Sequence, residues 1–162
     1  MSSHHGAVAP QQSCRTCRQG SSIVLPPHGS SAHHRIGETG VVLLIDAANV
    51  IGSRPTGWWR DRSGAARAFV ERLGAAVESG LLAEPVVVVL EGAARGGVEA
   101  GVAGGVTVLH APGSGDDTLL AVVADANRQV TLVSADRALR QQAGALGADV
   151  TGPRWLLDLL DE

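Results

Sequence analysis

The chain of 162 residues contains no lysine. All thirteen basic residues are arginine, set against sixteen acids for a formal net charge of −3. The missing lysine, together with 21 glycines, reads as a mark of GC-rich coding rather than of a particular partner. An acidic balance argues against strong nonspecific binding to nucleic acid, which depends on neutralising phosphates, yet it leaves room for a local arginine patch. Aromatic residues make up only 2 % of the chain while hydrophobic residues make up 44 %, so a core must be built from Val, Leu and Ala. Long apolar runs are missing too. None approaches the ~18–20 residues that span a bilayer, and Val86–Leu90 stops at Glu91. No membrane association is expected. The first residues are polar and histidine-bearing, without the apolar stretch of a secretory leader, so the expected location is the cytoplasm.

Cysteine is almost absent. Cys14 and Cys17 form a C-x-x-C pair, but a structural zinc ion needs two further ligands. His28, His33 and His34 lie nearby at a spacing that fits no zinc finger, and no apolar strand precedes Cys14 as a thioredoxin-like motif requires. The pair reads as incidental. Residues 1–38 are dominated by Ser, His, Gln, Gly and Pro and cannot bury enough surface to offset the entropy of ordering, so they are expected to be a disordered tail. The folded domain is expected over residues 39–162.

From there the pattern is regular. Val41–Ile45 is a continuous apolar run ending at Asp46, as in a strand buried on both faces. Ala66, Phe69, Val70, Leu73, Ala76 and Val77 recur at helical spacing and predict a helix over 63–79. Further strands are predicted at Val86–Leu90, Val106–Leu109 and Val130–Val133, with a short fifth at Ala148–Val150. Helices are predicted over 116–126, 136–145 and 155–160. The glycine-rich stretch 92–105 reads as a loop with at most one helical turn, and it lacks the strand–helix setting of a dinucleotide fingerprint. Strands alternating with helices imply an α/β fold: a mainly parallel sheet of four or five strands, covered on both sides to make three layers.

The acids then acquire meaning from their positions. Asp46 ends the first strand, Glu91 the second, and Asp136 follows the fourth, while Asp116 and Asp117 open the helix after the third. In a parallel sheet all five lie at the carboxyl edge, where open α/β folds bind ligands. Carboxylates gathered there repel one another, and a divalent cation relieves the repulsion. Mg²⁺ or Mn²⁺ among three or four acids activates water and stabilises a phosphoryl transition state. Each acid also has a plainer reading. Ser114–Asp117 resembles a capping box, Asp136 sits where a helix cap would, and Glu91 could be a solvated strand end. Asp46 resists this, because the end of a central buried strand is a costly place for an unpartnered charge.

Three segments carry a family resemblance. Leu44-Ile45-Asp46-Ala47-Ala48-Asn49-Val50-Ile51-Gly52 resembles the opening D-G-x-N-V-I-G motif of bacterial NYN-domain proteins in the PIN-like nuclease superfamily, with Ala47 replacing a common glycine. Gly115-Asp116-Asp117-Thr118-Leu119 is similar to that family's paired-acid helix start, and Val133-Ser134-Ala135-Asp136-Arg137 to its V-[ST]-x-D-R segment. The resemblance implies a PIN-like, Rossmannoid fold and a Mg²⁺- or Mn²⁺-dependent endoribonuclease that hydrolyses RNA by direct attack of a metal-activated water. It implies Asp46 as the main metal ligand, with Asp116 or Asp117 and Asp136 completing the shell and Glu91 matching by position. Asn49 would orient the loop or a water, unless it is an Asx-turn residue.

The segment Gly52–Arg62 holds Arg54, Arg60 and Arg62, which suit phosphates, and Trp58 and Trp59, which suit stacking on an unpaired base. Alternatively one tryptophan caps the core and the arginines are solvated. Ser134 is a candidate contact to a phosphate or a metal-bound water, or a helix cap, and His110 reads as structural. The partner expected is RNA, with homo-oligomerisation left open. Two other functions compete: hydrolysis of nucleoside triphosphates at the same acids, and a noncatalytic module binding RNA or a partner.

Overall fold

Val42–Asp46 forms β1, and all five of its residues are buried because parallel strands flank it on both sides. In the computed structural model, which describes residues 40–161, β1 pairs with β2 (Val86–Leu90) in the register Leu43↔Val86 to Asp46↔Val89. On its other side it pairs with β5 (Val130–Val133), from Val42↔Val130 to Ile45↔Val133. Beyond them lie β4 (Val106–His110), parallel to β2, and β6 (Asp149–Thr151), parallel to β5. A short β3 (Gly101–Ala103) runs antiparallel along β4 and completes a six-stranded sheet of order β3-β4-β2-β1-β5-β6.

Successive residues on a strand face opposite sides, and the core divides accordingly. Leu43, Ile45, Val86, Val88 and Val108 pack against α1 (Ala47–Gly52), α2 (Arg62–Glu78) and α5 (Pro153–Leu160). Val42, Leu44, Val87, Val89 and Leu132 pack against α3 (Gly115–Asp125) and α4 (Arg137–Ala145). Phe69 is the one aromatic in either core; the rest is aliphatic. The chain winds from β1 through β2 to β4 in one direction, then returns by α3 to β5 on the far side of β1. The order therefore reverses between β1 and β5, and such a switch point opens a crevice at the carboxyl ends of the strands.

The three-layer α/β expectation is met, with two differences. The sheet has six strands rather than four or five, because part of the 92–105 stretch is structured. Gly92–Gly97 is a 3-10 segment, and Gly101–Ala103 turns back through Gly104 and Gly105, both at positive φ, into β4. A Gly-Gly pair between two short runs is a recognised hairpin signal; the density of glycine around it concealed it. Second, Asn49 does not lie in a loop but in the short helix α1. The expected tail over 1–38 and the Cys14–Cys17 pair lie outside the described residues. No described helix is long and apolar enough to cross a membrane.

Leu44 is fully buried at the centre of the sheet. Leu44→Ala is expected to lower stability by about 2–5 kcal/mol, read as a shifted urea midpoint with an unchanged slope.

Candidate active site

Asp46 is 5 % exposed, and its burial is tolerated because both carboxylate oxygens are bonded. Oδ1 accepts from the backbone N–H of Asn49 at 3.1 Å, which makes Asp46 the N-cap of α1. Oδ2 accepts from Asn49 Nδ2 at 2.7 Å and from Ser134 Oγ at 2.7 Å. The Ser134 bond crosses the switch point, joining the ends of β1 and β5. The same Ser134 hydroxyl accepts from the backbone N–H of Asp136 at 3.0 Å, and Asp136 in turn caps α4 through Leu139 N at 2.7 Å. Asp46, Ser134 and Asp136 thus form one chain of hydrogen bonds, and its geometry fixes two of the candidate acids relative to each other.

Glu91 is held differently. Its Oε2 accepts from the backbone N–H of Gly115 at 2.8 Å, where the positive end of α3 favours a carboxylate. A Cβ at position 115 would stand 2.7 Å from the same oxygen, so a larger residue there would make the Glu91 carboxylate shift. The capping box read from Ser114–Asp117 does not form: Ser114 makes no side-chain cap bond, and the distant Glu91 caps α3 in its place.

Asp116 and Asp117 occupy the exposed first turn of α3. The Asp116 carboxyl titrates above its ordinary value of 3.8, first because the surrounding chain strips part of its hydration. Repulsion from Asp46, Asp136, Glu91 and Asp117 adds to this. The four other candidate acids therefore act on Asp116 together, as expected of a shared edge. Among the described residues, the ion pairs join Arg54 and Arg72 to Asp161 and Arg154 to Asp158, so none neutralises any of the five.

Whether these residues suit a divalent cation depends on their donors. All are oxygens, as Mg²⁺ and Mn²⁺ prefer, and the edge carries uncompensated negative charge. Among the described residues, however, no three His, Cys, Asp or Glu side chains stand close enough to form a ready cage. Mg²⁺ keeps several of its waters and takes only one or two carboxylates directly. The donor set fits a hydrated ion of that kind and not a closed, fully dehydrated site.

The residues assigned to substrate divide. Arg60 and Trp59 are exposed beside the start of α2. Arg54 is engaged with Asp161, which also binds Arg72, so it fastens the end of α5 to α1 and α2 and is not a free phosphate contact. Arg62 lies over the Trp58 ring at 5.4 Å, and Trp58 also packs against Gly52. Trp58 is thereby partly covered, and the more open stacking surface belongs to Trp59, set edge-on to it at 84°. Ser134 is completely buried; it positions acids instead of touching substrate. His110 contacts the Val98 carbonyl at 2.8 Å, in keeping with a structural role.

No family model and no curated protein sequence matches the chain. Solved structures do. Rae1 (YacP) from Bacillus subtilis is 19 % identical, with a TM-score of 0.59 over 74 % of this chain and 73 % of that one. A tryptophan-to-leucine variant of the same protein is 17 % identical, with a TM-score of 0.58 over 74 % of each. The likeness is one of fold.

Two outcomes follow for the site. Ser134→Ala removes one donor to Asp46 and the acceptor of the Asp136 N–H, and is expected to lower stability by about 1–3 kcal/mol in thermal or urea unfolding. Asp116 behaves oppositely. Its raised pKa means the folded chain holds that proton more tightly than the unfolded chain, so its contribution to stability falls as pH rises from 3.8 through the raised value. Asp116→Asn is accordingly expected to raise Tm at neutral pH and low salt. The gain should shrink as pH falls through 3.8 and vanish about one unit below it, where the carboxyl is protonated in both the folded and the unfolded chain.

Proposed function

We propose that this protein is a Mg²⁺- or Mn²⁺-dependent endoribonuclease, hydrolysing RNA phosphodiester bonds at the carboxyl edge of the sheet. The observation that carries the reading is the concentration of Asp46, Glu91, Asp116, Asp117 and Asp136 at the switch point, with no arginine among the described residues paired to any of them. Such an edge suits a cation and a phosphate better than it suits an empty surface. The fold shared with Rae1, a NYN-domain ribonuclease, supports nuclease chemistry, and so does the resemblance of the three segments to NYN-domain motifs.

In this reading Asp46 and Asp116, with Asp117, Asp136 and Glu91 around them, would hold the ion. When bound, it supplies charge neutralisation and an activated water for attack on phosphorus. The chain's own contribution is positional. Asn49 and Ser134 hold both oxygens of Asp46 so that the carboxylate cannot swing away. Ser134 also fixes the start of α4 and with it Asp136. Glu91 fixes the start of α3 and with it Asp116 and Asp117. Arg60 offers a phosphate contact, and Trp59 a face for an unpaired base.

The test incubates the purified chain with single-stranded RNA, structured RNA and nucleoside triphosphates in Mg²⁺, Mn²⁺ or EDTA. RNA cleavage is expected in either metal, absent in EDTA, and reduced by roughly two orders of magnitude or more in Asp46→Asn. Intact RNA alongside triphosphate turnover would replace this reading with a nucleotide hydrolase. RNA binding that persists in EDTA, with no cleavage in any metal, would replace it with a noncatalytic module.

A further inference from the structure

Only one of the four aromatic residues is used in the core. Phe69 is buried, whereas Trp59 is 53 % exposed and Trp155 is 48 % exposed. Nothing in sequence spacing singles out Trp155; its place in the fold does. It lies in the first turn of α5, four residues beyond Thr151, where β6 reaches the carboxyl edge. The Thr151 carbonyl accepts from Ser134 N at 3.2 Å, and Ser134 Oγ binds Asp46 Oδ2 at 2.7 Å. Two hydrogen bonds therefore link the root of α5 to the central acid. Neighbouring strands stand about 4.8 Å apart, so the end of β6 lies roughly 10 Å from the end of β1, across β5.

The helix is oriented by Leu156 and Leu157, which face the core, and this leaves Trp155 and Arg154 outward at the same edge. Arg154 is nearly fully exposed, with a long 3.9 Å approach to Asp158, so its guanidinium is available to a phosphate. Trp59 with Arg60 directly precedes α2, whose Ser63 Oγ donates to the Ala93 carbonyl at 2.8 Å in the segment that follows β2, so this pair belongs to the β2 side of the edge. Trp155 with Arg154 lies on the β6 side. An exposed ring beside an arginine is the arrangement on which single strands stack, since a base can lie on the ring only when it is unpaired.

We propose that Trp155 is a second base-stacking position, with Arg154 as its phosphate contact, and that the substrate is unpaired RNA laid along the acidic edge between Trp59 and Trp155. The inference rests on the ribonuclease reading and narrows it to single-stranded RNA. A stacked base at each side of the acids holds the intervening phosphodiester at the carboxylates and excludes a duplex, whose bases face inward.

Binding is measured by fluorescence anisotropy in the Asp46→Asn background with Mg²⁺, using fluorescein-labelled oligouridylate of roughly ten nucleotides and a duplex of equal length. Trp155→Ala is expected to weaken single-strand binding by roughly ten-fold or more and to leave the weaker duplex binding unchanged, with Trp155→Phe retaining most of the affinity. In a Trp58→Phe/Trp59→Phe chain, where Trp155 is the remaining tryptophan, the oligonucleotide is expected to quench the fluorescence. Unchanged single-strand affinity, equal loss for both RNAs, or absence of quenching would overturn the proposal. So would a change confined to the oligomeric state, which would make Trp155 a contact between copies. Cleavage by the chain with Asp46 intact, followed separately, distinguishes the two failures: RNA cut normally by Trp155→Ala leaves the nuclease standing without this subsite.

Discussion

Oδ2 of Asp46 receives two hydrogen bonds, and the rest of the carboxyl edge is arranged around that fact. A carboxylate at the end of a central strand loses most of its hydration, and an isolated buried charge is strongly unfavourable. Here Asn49 and Ser134 replace the lost water with three donors. Because Asn49 belongs to the helix after β1 and Ser134 follows β5, satisfying Asp46 also ties together the two strands between which the sheet reverses direction. The same contact that makes the charge tolerable keeps the crevice in shape.

From that point the acids organise the helices that surround them. Asp46 caps α1, Asp136 caps α4 and Glu91 reaches across to the first N–H of α3. Acids at helix starts are ordinarily stabilising, and three of the five candidates contribute in that way. Asp116 is the exception: it stands in the field of the other four and is harder to ionise than a free carboxyl. Stability and function therefore draw on overlapping groups. The acids that cap helices stabilise the scaffold, whereas the crowding at Asp116 opposes folding at neutral pH.

The aliphatic core has a consequence at the surface. With Val, Leu and Ala filling both sides of the sheet, the tryptophans are left outside it. Trp58 is partly covered by Arg62 and Gly52, while Trp59 and Trp155 are more open. The arginines divide in the same way: Arg54 and Arg72 brace α5 through Asp161, and Arg60 and Arg154 remain available. A chain with net negative charge can in this way present cationic and aromatic groups beside a carboxylate cleft.

What the sequence alone determined was the alternation of buried strands and amphipathic helices, and hence the parallel three-layer fold and the gathering of acids at one edge. Both are consequences of local period and of the rule that parallel strands point the same way. The small Gly-Gly hairpin and the helical setting of Asn49 were written in the sequence as well, but masked by glycine density and by a strand ending directly in a helix. What only the tertiary structure decided was which partner each polar group takes. Ser134 lies far along the chain from Asp46, Gly115 from Glu91, and Asp161 from Arg54. Their bonds depend on strand order, on which side of β1 the chain returns to, and on where each helix ends. Asp46 was legible because burial at a strand end is a local property; the roles of Ser134, Arg54 and Trp58 were not, because a hydrogen bond, an ion pair or a covered ring is a property of two segments that meet only when the sheet is assembled.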